Sequence, residues 1–393
     1  RGNDIAYCPL VLSYAIVYNN SVELFADIRK FSDDIINLLA ENQVKIYPYE
    51  DIYRKVSEMT SEDKLLLDSA IMNYSLYQAI SKETVIVDKQ NPEILMKSVK
   101  NETQAENLRK AHLKDAVAHT KFMYWLKKNI GRVEITELSA SARLEGLRAE
   151  QEHFLGPSFG PISAYGEHGA IVHYSADEKS NVPLKEGKLF MTDTGGHYLE
   201  GSTDITRTVA LGEVGNIEKE HFTLVARAML RLANTVFLYG CSGANLDCIA
   251  REVFWKEGLN FNHGTGHGVG YLLNIHEGPI NFRWKEGERP APALEENMVI
   301  TDEPGIYIEG SHGIRLENEL LVRKTVKNEY GQFMNFEILT YVPIDLDAIL
   351  PEKMSTEEKE MLNHYHKQVY EKVSPYLSEE ERIWLKEYTR AVK

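Results

Sequence analysis

A chain of 393 residues, 43% hydrophobic and 26% charged, carries enough apolar material for a sizeable core, which excludes a disordered or collagen-like polypeptide. Its 44 Lys and Arg stand against 59 Asp and Glu, a formal charge of −15. With no basic run to offset that balance, nucleic acid and anionic membrane surfaces are excluded as expected partners.

The longest apolar stretch, residues 9–17, is about half of the ~20 residues that a membrane-spanning helix needs. The three cysteines, Cys8, Cys241 and Cys248, form no C-x-x-C pair, which predicts a reducing, cytoplasmic setting. The chain starts at Arg1 without a leader-like segment and is expected to begin inside a longer protein. Residues 5–18 are β-rich. Leu24, Phe25, Ile28, Phe31, Ile35, Ile36 and Leu39 recur at three and four and predict a helix over 22–39. Strands at 44–46 and 84–87 frame a second helical region, giving an αβ unit of about a hundred residues that closes near Pro92. From Glu93 a long amphipathic helix is predicted, with Leu108, Ala111, Ala118, Phe122 and Trp125 as its buried stripe. Between 159 and 334, glycines separate β-like runs at 170–174, 188–193, 205–211, 298–302 and 319–322, with one helix at 218–238. That mixture predicts a curved, largely antiparallel sheet with flanking helices. Residues 356–393 read as a helical tail whose stripe, Met361, Leu362, Tyr365, Val369, Tyr370 and Val373, suits either packing on the body or a dimer contact.

Three segments carry chemistry. Asp193 and Asp204 flank a Gly-containing turn in T-D-T-G-G-H-Y-L-E-G-S-T-D. Alternation puts Asp193 on one face of its strand, and Asp204, Thr206 and Thr208 on one face of the next. Carboxylates sharing a face repel unless a cation or proton lies between them; the bland alternative is two exposed turn aspartates. His263 and His267 lie in N-H-G-T-G-H-G-V-G and His276 in N-I-H-E-G-P, where glycines let the backbone turn tightly and leave the imidazole accessible. Their spacing matches no phosphate-cradling loop. Glu303 and Glu317 lie in T-D-E-P-G-I-Y-I-E-G-S-H-G-I-R-L-E-N-E, where Arg315 shares a face with Glu317 and is expected to orient it. One imidazole and four carboxylates form an oxygen-rich set suited to ions such as Mn²⁺. Two divalent cations neutralise it, whereas one leaves −2 to be desolvated. A pair of such ions also acidifies a shared water, which predicts metal-assisted hydrolysis.

The segments D-T-G-G-H-Y with T-D-I-T-R-T, H-G-T-G-H-G-V-G with N-I-H-E-G-P, and D-E-P-G-I-Y with G-I-R-L-E-N resemble the pita-bread metallopeptidases, in particular the Xaa-Pro aminopeptidases. The resemblance covers nearly the whole chain. It runs from the R-G-x-D segment at Arg1 to Asp4, like that of the long three-domain members, to F-E-I-L-T-Y-V-P-I-D-L-D from Phe336, like their C-terminal segment. It implies an α+β architecture in which a creatinase-like αβ domain at 1–95, truncated at its start, precedes a pita-bread catalytic domain at 96–332 with a curved antiparallel sheet. A helical extension at 333–393 follows, and the family's first domain is missing. It further implies that Asp193 binds one metal, that Asp204 and Glu317 bridge two, and that His267 and Glu303 complete the second, with Mn²⁺ the expected ion. His173, His263 and His276 correspond to active-site histidines, and Tyr307 and Arg315 to the proline pocket. His197 stands where many relatives have Gln and is expected to be neutral. The implied activity is removal of the residue before an N-terminal proline bond, by a cytoplasmic homodimer. An Xaa-Pro dipeptidase and a non-catalytic peptide-binding relative are the alternatives.

Overall fold

The computed structural model describes residues 2–285, 287 and 289–393; Arg1, the first residue of the R-G-x-D segment, lies outside the described residues. Two units emerge, Arg1–Met96 and Lys97–Lys393. In the first, β1 (Ser13–Val17) pairs antiparallel with β2 (Val22–Ala26), which runs parallel to β3 (Val44–Tyr47). The predicted helix over 22–39 is therefore corrected. Its first third is a central strand, because both edges of 22–26 find ladder partners and Phe25 and Ala26 are buried. Asp27 then caps a 3₁₀ turn, and α1 begins only at Asp33 (Asp33–Glu41). Of the β-rich run 5–18, only Ser13–Val17 joins the ladder. After α2 (Asp51–Ser57), the parallel pair β4 (Lys64–Leu67) and β5 (Val85–Asp88) flanks α3 (Tyr74–Ala79). The core of this unit is small: Ile16, Phe25, Ile52, Val56, Leu67, Leu76 and Ile80.

The predicted single helix from Glu93 is two: α4 (Pro92–Ser98) and, after a break, α5 (Glu102–Asn129). The break has a local cause. Asn101 and Gln104 form a reciprocal capping box that satisfies the first amides of α5. Leu108, Ala111, Ala118 and Phe122 are buried as expected, with Trp125 partly so. Thr136 caps α6 (Glu137–Ala149) in the same manner.

The strands that follow are β6 (Phe154–Pro157), β7 (Ile162–Tyr165), β8 (Lys188–Thr194), β9 (Gly196–Tyr198), β10 (Gly201–Ser202) and β11 (Ile205–Leu211). They form two antiparallel sheets, ordered β10-β9-β6 and β11-β8-β7. The run 170–174, expected as a strand, is a 3₁₀ turn (Gly166–Ala170) followed by irregular chain. Its backbone is held by side chains rather than by a ladder. Helices α7 (Asn216–Ala233) and α8 (Gly243–Lys256) precede a six-stranded antiparallel sheet. Its order is β12-β19-β18-β15-β13-β14, built from β12 (Phe237–Leu238), β13 (Gly266–Val269), β14 (His276–Phe282), β15 (Val299–Asp302), β18 (Asn318–Asn328) and β19 (Gly331–Ile338). The hairpin β16 (Gly305–Ile308) and β17 (His312–Arg315) stands beside it. The curled antiparallel strands and the covering helices enclose one large core, to which α9 (Thr356–Val373) contributes Leu362, Tyr365, Val369 and Val373 and α10 (Glu379–Tyr388) Leu385. The tail's apolar stripe thus packs on the body. Among the described residues, no helix is long and apolar enough to cross a membrane.

Candidate metal centre

Register brings the first two carboxylates together. Asp193 in β8 lies opposite Thr206 in β11, and Asp204 immediately precedes β11, so both side chains fall on one face. The β9–β10 hairpin between them is tied down from behind. Arg148 Nε lies 2.8 Å from Asp115, and Arg148 Nη2 donates to the Thr194 carbonyl at 3.1 Å. Thr203 donates to the other oxygen of Asp115. The residues adjoining both aspartates are therefore anchored to one buried ion pair.

His267 lies in β13, with its N–H on Thr301 Oγ1 at 3.0 Å. The glycines around it serve a purpose other than the tight turn expected of them. A Cβ on Gly266 would sit 1.9 Å from the Thr301 carbonyl oxygen, and one on Gly268 would sit 2.1 Å from that of Glu277. They let β13 press between β14 and β15 and so bring the imidazole up to the carboxylates. Glu303 follows β15, its N–H on the Thr265 carbonyl at 2.8 Å. Glu317 links β17 to β18, its N–H on the Thr206 carbonyl at 3.0 Å and its Oε2 accepting from Thr206 Oγ1 at 2.7 Å. Arg207 braces this junction, donating to the Glu317 carbonyl at 2.6 Å, to Asn318 Oδ1 at 2.7 Å and to the Tyr365 hydroxyl of α9 at 2.7 Å.

The ligand atoms form three overlapping triads, each within 4.8 Å: Asp193, Asp204 and Glu317; His267, Glu303 and Glu317; and Asp204, His267 and His276. All five residues expected as ligands are in one cluster, and Asp204, His267 and Glu317 each belong to two triads. His276 adjoins it, with Nε2 3.9 Å from Asp204. His263 and His173 line the same cavity, of about 630 Å³, without belonging to a triad. His197 lies elsewhere, with Nδ1 2.7 Å from Ser202 Oγ in the β9–β10 hairpin.

One neighbour was misjudged. Arg315, expected beside Glu317, instead places Nε 3.1 Å from Asp193 Oδ2, with Nη2 on the same oxygen. It also donates through Nη1 to the Tyr307 hydroxyl at 2.7 Å, which lies 2.8 Å from His263 Nε2. Phe159, whose ring is 5.7 Å from that of His276, and Arg283 also line the cavity. No spacing rule marks either one in the sequence.

Burial pushes the Asp204 carboxyl well above its ordinary range, and Asp193 and Glu303 add to the rise. Burial does the same to Glu317, reinforced by Asp204, and raises Glu303 against the opposing pull of His267 and Arg315. Burial holds His263 down to about 4, helped by Arg315; His276, more exposed, is lowered too, by partial desolvation and by His267. Asp193 Oδ1 and Asp204 Oδ1 are buried without a hydrogen-bond partner among the described residues. Crowded carboxylates with undonated oxygens and one imidazole form a donor set that fits divalent ions.

A curled antiparallel sheet carrying such a centre on its inner strands is the pita-bread arrangement. Residues 106–324 match the model of metallopeptidase family M24, residues 1–104 that of the creatinase/prolidase N-terminal domain, and residues 332–392 that of the C-terminal region of peptidase M24. The chain belongs to metallopeptidase family M24. It is 35% identical over 411 residues to a probable Xaa-Pro aminopeptidase P of Paracoccidioides brasiliensis (strain Pb03), an overlap covering 100% of this chain and 66% of the relative. Among solved structures it resembles an X-prolyl aminopeptidase from Caenorhabditis elegans, described as a cytosolic enzyme with a di-nuclear active site, at TM-score 0.92 and 32% identity. That match covers 99% of this chain and 65% of the other. It also resembles an Xaa-Pro dipeptidase from Bacillus anthracis, at TM-score 0.67 and 25% identity, covering 86% and 89%. The chain spans about two thirds of the length of the first two.

Proposed function

We propose that this chain carries the catalytic centre of a di-metal aminopeptidase that hydrolyses the bond between an N-terminal residue and a following proline. The observation that carries the reading is the convergence of Asp193, Asp204, His267, Glu303 and Glu317 in overlapping triads in which one buried oxygen each of Asp193 and Asp204 has no donor among the described residues. Asp193, Asp204, His267, Glu303 and Glu317 would hold the two ions, and Mn²⁺ would suit the oxygen-rich set. When bound, two divalent ions supply the +4 that balances four carboxylates, together with Lewis-acid activation of water and carbonyl.

The chain's own groups do the rest. Arg315 fixes the Asp193 rotamer by donating twice to one of its oxygens. His263, kept neutral at physiological pH by burial, shares the Tyr307 hydroxyl with Arg315 and holds that wall of the cavity rigid against a proline ring. Proline's nitrogen carries no N–H, so substrate is recognised by ring shape and by the free amino terminus. His276 and His173 face the cavity and stabilise charge that develops on the carbonyl oxygen.

The division at 1–95, 96–332 and 333–393, a cytoplasmic location and a homodimeric state belong to the same reading. The three cysteines without disulfides support the location, and sedimentation tests the dimer. Mass spectrometry of products from a peptide panel with Mn²⁺ supplied tests the activity. Loss of only the first residue from peptides of four or more residues with proline second supports it. Cleavage confined to dipeptides replaces it with the dipeptidase, and peptide binding without hydrolysis with a non-catalytic relative.

A further inference from the structure

Glu137 opens α6 and is fully buried. Its carboxylate meets three donors: the Tyr165 N–H at 2.8 Å, His168 Nδ1 at 2.8 Å and the Tyr174 hydroxyl at 2.9 Å. Tyr165 ends β7, and the other two lie on the irregular stretch beyond it, where the His168 and Tyr174 rings stack at 4.5 Å. The stretch is also clamped from the opposite side. Gly169 lies so close to β17 that a Cβ on Gly313 would sit 1.6 Å from the Gly169 carbonyl oxygen, and the Val172 carbonyl accepts from Arg315 Nη2 at 3.3 Å. Between the two clamps stands His173. Its side chain is exposed to the cavity of the metal centre and makes no hydrogen bond among the described residues. A residue held by nothing of its own is placed only by its neighbours, and the neighbour on its C-terminal side, Tyr174, is held by Glu137.

We propose that Glu137 is a positioning residue that fixes the 166–175 segment and thereby aims His173 into the cavity. One Glu137 oxygen takes both the Tyr165 N–H and His168, and the other takes the Tyr174 hydroxyl, which also reaches the Ser180 carbonyl at 3.3 Å and can itself accept. A glutamine can therefore keep the contacts with its N–H₂ on that hydroxyl, whereas an alanine removes all three. A buried carboxylate without any role would be costly to keep, since desolvation opposes its charge.

The inference rests on the hydrolytic reading above only for its kinetic arm. In the metal-loaded full chain, Glu137→Ala is expected to keep two ions per chain and to lower kcat for an Xaa-Pro peptide by roughly 10²-fold, as misplacement of a reacting group does. Amide exchange over 166–175 should accelerate while that of β8 and β11 does not, and Glu137→Gln should restore most of both. In a His173→Ala background, Glu137→Ala should cost nothing further, an outcome that a general loss of stability would not produce. Tyr174→Phe, which removes one donor and leaves the fold's charges alone, should show the same pattern in weaker form and serves if Glu137→Ala does not fold. Unchanged exchange over 166–175, or a full additional loss in the His173→Ala background, overturns the proposal. If the wild-type chain cleaves no Xaa-Pro peptide, the functional reading fails and the exchange measurement alone decides the role of Glu137.

Discussion

The two ends of β11 place aspartates in opposite electrostatic settings. Asp345, fully buried beside Ala210, accepts from the Ala210 N–H at 2.8 Å, from Lys127 Nζ at 2.6 Å and, through its other oxygen, from the Asp347 N–H at 3.1 Å. Burial raises its carboxyl, and Lys127 opposes the rise. At the other end, Asp204 is equally buried, yet Asp193, Glu303 and Glu319 add to the effect of burial, and its Oδ1 has no donor among the described residues. The first carboxylate is neutralised by the protein itself. The second lies among other carboxylates that add to the rise, and that difference marks it as a candidate cation ligand more clearly than burial does.

Substitutions at the two ends should therefore fail differently. Asp204→Asn should abolish turnover and lower the metal content of both positions, by more than the roughly 10- to 100-fold that loss of a supporting hydrogen bond behind a ligand costs. Elemental analysis beside peptide hydrolysis checks this, and retention of two ions with normal turnover would erase the distinction. Asp345→Asn should leave metal content unchanged and destabilise the fold by about 1.5–3 kcal/mol, because Lys127 loses one of its two carboxylates and keeps only Asp347, at 2.8 Å; urea unfolding measures it. His276→Ala should keep both ions and reduce kcat by ~10² to 10³. Loss of metal in that variant would make His276 a ligand instead.

The smallest effect concerns pH. His366, fully buried, accepts the Ile344 N–H on Nε2 at 3.1 Å and is pushed down to about 3 by burial, with Arg207 adding to it. Between its ordinary value near 6.5 and about 3 the unfolded chain binds a proton that the folded chain refuses. Stability from this residue is thus complete above about pH 6.5 and falls as pH drops, by about 1.4 kcal/mol per pH unit. Urea midpoints of the metal-free protein at pH 7 and pH 5 should differ less in His366→Gln than in wild type; equal differences would show that His366 does not govern this loss.

What the sequence revealed follows from the range of the interactions. Asp193 and Asp204 were legible because strand alternation and an intervening turn decide their common face, and His267 because a run of glycines is conspicuous. The helix expected over 22–39 went wrong because Leu24, Phe25 and Ile28 fit a helical period as well as a buried strand, and only pairing with β1 and β3 decides between them. Arg315 was assigned to Glu317 by chain proximity, whereas it reaches Asp193 across 122 positions. Glu137 and the Asp115–Arg148 pair left no local pattern, since their partners come from β7, the 3₁₀ turn and the β9–β10 hairpin. Contacts between distant segments have no periodicity to read.

The brace from Arg207 to Tyr365 has a consequence for the order of synthesis. Translation delivers Asp193 first and Glu317 last among the candidate ligands, but the hydroxyl that accepts from Arg207 beneath the Glu317 carbonyl arrives only with α9. A nascent chain that has emerged through Glu317 holds every ligand and still carries a guanidinium short of one of its partners, which leaves the junction of β17 and β18 incompletely fastened. Full fastening of the junction that carries Glu317 accordingly waits until α9 has emerged.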